Sequence, residues 1–175
     1  MNLLQWLQSK IVLMAVAIIL ISSVTTFFYY QMGELQQEEL ETRARKLSRI
    51  ITDMYGSDVD EMSQRVTFSQ RDEGIYLDPQ VSGDSYTIEI NSDFLILRQD
   101  GMDAIEMFGP KVHLWEPCEL NHTGRLPSSE REWRDETSPN IEMRAGENDL
   151  RLTMLNLYDG ERYENHIFVT EVPSN

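Results

Sequence analysis

The sequence predicts an α+β protein: a long N-terminal transmembrane and stalk helix, then an antiparallel β-sheet domain of sandwich-like build. Three observations predict this. Ile11 to Tyr30 is a run of 20 residues without a charged side chain. Beyond it, Leu40, Ala44, Leu47, Ile51 and Met54 recur at spacings of 4, 3, 4 and 3, the a/d seam of an amphipathic helix. After Gly56 the apolar period falls to two, the signature of half-buried strands.

The first element is the apolar run. At a rise of about 1.5 Å per residue it makes roughly 30 Å of helix, the thickness of a hydrocarbon core. Trp6 lies in the short flank before it, and Phe27, Phe28, Tyr29 and Tyr30 close it with the aromatic side chains that suit a membrane interface. A cleaved signal peptide has a shorter apolar region and a small-residue cleavage site, so the sequence favours a retained span over residues 1–32.

The second element is an amphipathic extension over residues 33–56. Gly33 is a weak breaker and does not have to end the helix. Acids come first (Glu34, Glu38, Glu39, Glu41) and bases follow (Arg43, Arg45, Lys46, Arg49), so Glu39–Arg43 and Glu41–Arg45 fall at i,i+4. Gly56 is the expected stop. The seam Leu40, Ala44, Leu47, Ile51 and Met54 has two readings. It packs on the chain's own sheet, or it packs on neighbouring helices in an assembly. Two heptads alone make a marginal coiled coil, which makes the chain's own sheet the default.

The remaining residues, 57–175, read as a β-rich domain of six to eight strands. Val66 and Phe68 alternate with polar neighbours. Asp78-Pro79 is a turn, and Tyr86, Ile88 and Ile90 then share one face. "NSD" and Asp100-Gly101 bound the run "FLILRQ". Residues 116–140 are polar, show no period and hold three of the six prolines, which marks a long surface loop. Alternation resumes at Ile141 and Met143, continues through Leu150, Leu152 and Met154, and ends at Pro173.

Charge narrows the partners. Residues 1–33 carry only Lys10, so residues 34–175 hold 30 acids against 14 bases, a net charge of −16. Nucleic acid demands basic surface and is excluded as a partner, whereas a lipid bilayer is implied by the span. The single cysteine, Cys118, rules out an intramolecular disulfide.

The layout, together with "IYLDPQVSGDSYTIEINSDFLILRQDG", resembles the archaeal type IV pilin-like proteins. The residues that carry the resemblance are Ile75, Leu77, Pro79, Gly83, Tyr86, Ile88, Ile90 and Leu95 to Leu97. It covers residues 1–108 loosely. It implies a pilin-like fold and a non-enzymatic structural role at the cell surface. The span would sit in the cell membrane with the β domain outside, and copies of the chain or other pilin-like subunits would be partners. Where that family carries Gly or Ala after a basic residue, this chain has Ile11 after Lys10, which points to a permanently anchored or minor-pilin-like member. The bases between Arg43 and Arg49 outnumber Lys10, so the orientation rests on the resemblance and not on the positive-inside rule. The alternative reading is a single-span ectodomain acting as a binding or sensory module.

Few residues invite chemistry. Asn121, in Asn121-His122-Thr123, heads the only Asn-x-Ser/Thr sequon and is the glycosylation candidate. His113, Cys118 and His122 fall within ten residues and are the metal candidates; their spacing matches no structural zinc pattern, and the plain alternative is ordinary loop residues with a buried thiol. Asp100, Asp103 and Glu106 lack the regular oxygen ligands of a calcium loop. No G-x-S-x-G, H-E-x-x-H, C-x-x-C or phosphate-cradling loop is present, so neither an enzyme nor a cofactor is expected.

Overall fold

A computed structural model describes residues 3–70, 73–110, 112–114, 140–158 and 161–174. The chain divides into two compact units, Met1–Glu38 and Glu39–Asn175. One helix, α1 (Leu3–Tyr55), belongs to both. Gly33 does not interrupt it; a missing Cβ costs a helix about 1 kcal/mol, too little to break one this long.

In the first unit α1 is bare. Its most apolar 18-residue stretch has a mean hydropathy of 2.6, and none of it is buried. Two polar side chains of the apolar run turn back on the helix. Ser23 Oγ donates to Ile19 O at 2.8 Å, and Thr25 Oγ1 donates to Ile21 O at 2.8 Å. Hydroxyls satisfied in this way are tolerated in an apolar medium.

In the second unit the rest of α1 joins eleven strands: β1 (Glu61–Thr67), β2 (Ile75–Tyr76), β3 (Gln80–Val81), β4 (Asp84–Ser85), β5 (Thr87–Ile90), β6 (Phe94–Gln99), β7 (Met102–Met107), β8 (Val112–His113), β9 (Ile141–Arg144), β10 (Asn148–Tyr158) and β11 (Tyr163–Pro173). They form a five-stranded sheet in the order β2-β1-β10-β11-β8, a four-stranded sheet in the order β7-β6-β5-β9, and the small pair β3-β4. The count exceeds the expected six to eight because it includes the two-residue pairings β2, β3, β4 and β8. The main ladders are antiparallel, as expected. The short edge pairings β1–β2 and β8–β11 are parallel.

The seam of α1 and the inward faces of both large sheets share one core. Leu40, Ala44, Leu47 and Ile51 have no exposed surface, and Met54 has 2%. They meet Val66, Leu150, Leu152 and Met154 of the five-stranded sheet and Ile88, Ile90, Leu95 and Leu97 of the four-stranded one. The chain's own sheets therefore cover the seam. The bases on α1 do more than pair at i,i+4. Arg43 lies 3.6 Å from Glu39, as its spacing predicts, and its Nη2 also donates to Gln80 O at 2.6 Å. Lys46 Nζ donates to Tyr76 O at 2.8 Å. Tyr86 locks the same loop from below, its hydroxyl donating to Asp78 O at 2.9 Å. Burial pushes the Tyr86 phenol well above its ordinary value.

The turns follow from their residues. Asn91 Oδ1 accepts from the amides of Asp93 and Phe94, an Asx turn between β5 and β6. Asp100 and Gly101 both hold positive φ, 49° and 80°, as a two-residue hairpin between β6 and β7 requires. Gly74 is the tightest backbone site. Its φ is +148°, and a Cβ there would lie 2.5 Å from Arg65 O. Gly74→Ala is expected to destabilise the β-rich unit by about 1–3 kcal/mol through backbone strain, with the carbonyl clash in addition. A denaturant titration that finds no change would show that β2 shifts away from β1 freely.

Candidate functional site

Two features stand out on the described surface. The first is the apolar part of α1. Leu13, Met14, Ile18, Ile19, Leu20 and Ile21 are each at least 60% exposed. Trp6 precedes them, with Lys10 Nζ 5.9 Å from its ring centroid. Phe27 and Phe28 follow, edge to face at 6.1 Å, and the exposed rings of Tyr29 and Tyr30 come next. Aromatic groups thus bracket one helical stretch long and apolar enough to cross a membrane. This is the stretch over which the sequence predicts a membrane span.

The second is a polar groove of about 500 Å³ at the C-terminal end of α1. Its origin is legible in the strand period. Leu150, Leu152 and Met154 point into the core, and Asn156 is the next residue in that phase. On β11 the inward series Val169, Ile167 ends likewise in Asn165. The two asparagines are cross-strand partners. Where the core runs out, the sheet therefore presents carboxamides inward. Asn165 Nδ2 donates to Tyr55 O at 2.7 Å and to Ser57 O at 2.9 Å. Tyr55 O is among the carbonyls that a helix end leaves without partners, and Ser57 O lies two residues beyond the helix. Gly56 marks the stop where the sequence places it, but by a different device: its φ is not positive, and Asn165 reaches across from β11 to close the end. Asp58, Arg162 and Tyr163 complete the rim.

Of the metal candidates read from sequence, only His113 lies among the described residues. Cys118 and His122 lie outside the described residues, as do the sequon residue Asn121 and, except for Asn140, the loop 116–140. His113 faces His166, with Nε2 and Nδ1 3.2 Å apart. The parallel pairing of β8 with β11, which sets His113 beside Phe168, makes this possible. The His113 ring stacks on Phe168 at 5.0 Å. The two imidazole centroids are 5.4 Å apart, close to the nitrogen separation plus two ring radii. The facing nitrogens thus point at each other, not at a shared third point. That is a hydrogen bond between a donor and an acceptor nitrogen, not a chelating pair. Among the described residues no group of three His, Cys, Asp or Glu side chains is placed to hold a metal. Sequence spacing could not reveal the pair, because 53 residues separate its members.

Comparison with known proteins adds no family: no family model, curated protein or solved structure matches the chain.

Proposed function

We propose that the protein is a non-enzymatic, pilin-like component of the cell surface. The apolar part of α1 holds it in the cell membrane, and its β-rich unit stands outside. The observation that carries this reading is the division of labour along α1. One part is uncharged, aromatic at its ends and bare. A later part buries its seam, Leu40, Ala44, Leu47, Ile51 and Met54, to 2% exposure or less in the core of its own β unit. An 18-residue stretch of mean hydropathy 2.6 left open to water is a severe solubility liability, which a bilayer removes. Contacts with further copies fall, on this reading, to the apolar stretch, because the seam at Leu40 to Met54 is already occupied.

The test uses intact cells and their membranes. The chain should stay in the membrane pellet through an alkaline carbonate wash, and protease added outside should remove the β-rich unit. Ile18→Arg together with Ile19→Arg places two charges mid-span at about 2.5–3.5 kcal/mol each, and should release the chain into the soluble fraction. Wild-type protein that washes off, or a β unit protected from external protease, would overturn the proposal.

A further inference from the structure

The groove at the end of α1 has more hydrogen-bond acceptors than donors. The helix presents its negative pole there, and no basic side chain lies in its last turn to offset it. Asp58 adds a carboxylate to the lining. The cation of the lining, Arg162, is ion-paired with Glu164. At the floor, Asn156 Oδ1 and Asn165 Oδ1 are buried, with no hydrogen-bond partner among the described residues. Asn165 is oriented by its two N–H···O bonds to Tyr55 and Ser57, so its oxygen faces away from them. Two tyrosines, Tyr55 at 40% and Tyr163 at 70% exposure, line the same groove.

We infer that this groove binds a small ligand through a primary ammonium group. Such a group carries three N–H donors and a positive charge, which match the two unpartnered carboxamide oxygens and the negative pole of the helix. The tyrosine faces attract the same charge. An anionic ligand would meet the helix's negative pole, Asp58 and a unit of strongly negative net charge. A calcium ion takes six to eight oxygens, several of them carboxylates, and Asp58 is the one lining carboxylate not committed to Arg162. Arg162 and Tyr163 at the rim are exposed, so they turn aside at little cost as an ammonium draws on the carboxamide oxygens below. Arg162 then acts as a competitor that holds Glu164 until an amine replaces it.

The experiment is a titration of the full chain in lipid nanodiscs with n-butylammonium chloride, read by NMR of the Asn156 and Asn165 side-chain amides. Saturable shifts are expected, with none from sodium chloride at equal ionic strength. Tetramethylammonium, which has the charge but no N–H, should bind more weakly. Asp58→Asn and Tyr163→Ala should each weaken binding by roughly two- to fivefold. Arg162→Gln should strengthen it, because it frees Glu164 and removes a competing cation. All three positions are exposed, so the variants keep the fold. The inference falls if no saturable shift occurs, if tetramethylammonium or calcium binds as tightly, or if Arg162→Gln weakens binding.

Discussion

Asp149→Ala is expected to lower the stability of the β-rich unit by about 3–5 kcal/mol, toward the lower end of that range. Asp149 is the second residue of β10, pairs with Val172 of β11 and has no exposed surface. Its Oδ2 accepts from Arg65 Nε at 2.7 Å, and its Oδ1 accepts from Phe68 N at 3.2 Å. Arg65 also donates from Nη2 to Pro173 O at 2.7 Å. One carboxylate thus ties β1, the chain beyond it and the end of β11 together. Removing it strands a guanidinium and leaves a buried amide without an acceptor, and both losses carry the full desolvation penalty. The Arg65 side chain keeps 24% exposure, so water recovers part of the loss. Asp149→Asn retains an acceptor for Phe68 N and should fall between wild type and alanine. Urea titration of the full chain in micelles, followed by circular dichroism, measures all three. A control pair, Arg49 with Asp53, is exposed at 82% and 71%, and breaking it should change stability by less than about 0.5 kcal/mol. An alanine variant within about 1 kcal/mol of wild type would mean that Arg65 and Phe68 N find other partners.

Asp149 also shows where sequence reading ends. It sits beside "GEN", a turn signal, and reads as one more solvated acid among 30. Its burial follows from the register of β1 on β10, which sets Val66 opposite Leu150, and no local pattern encodes that register. The helix was legible for the opposite reason. Its seam and its apolar run are periodic along the chain, so neighbours in sequence are neighbours in space. The strands with clean alternation, Ile88 with Ile90 and Leu150 with Leu152, were legible too, and their burial agrees. The parallel pairing of β8 on β11 and the His113–His166 pair were not, since each depends on a partner far along the chain. The groove lies between these cases. Asn156 and Asn165 each occupy an inward phase at the end of an apolar series, and a polar residue in an inward phase is a signal that sequence carries. That the two phases meet, and meet at the end of α1, is knowledge only the fold supplies.

The seam offers the second large effect, and it separates two roles for α1. Leu47→Ala should cost the β-rich unit about 2–5 kcal/mol, because a fully buried leucine shortened to alanine loses its transfer energy and leaves a cavity between helix and sheets. Leu47→Asp should prevent folding of the unit, since the same site has no partner for a charge. Were the seam instead a contact between copies, Leu47→Ala would spare the isolated chain and weaken only the assembly. The two cases differ in one measurable way. Loss of internal packing lowers the urea midpoint by the same amount at every protein concentration, whereas loss of an intersubunit contact lowers it more as concentration rises. With Leu40, Ala44, Leu47 and Ile51 sealed in the same core as Ile88 and Leu152, a concentration-independent drop is the expected result. Arg49→Ala, two residues on and on the exposed face, should leave the stability within about 0.5 kcal/mol of wild type. A concentration-dependent loss at Leu47 would mean that the helix leaves its own sheets to pack on those of another copy.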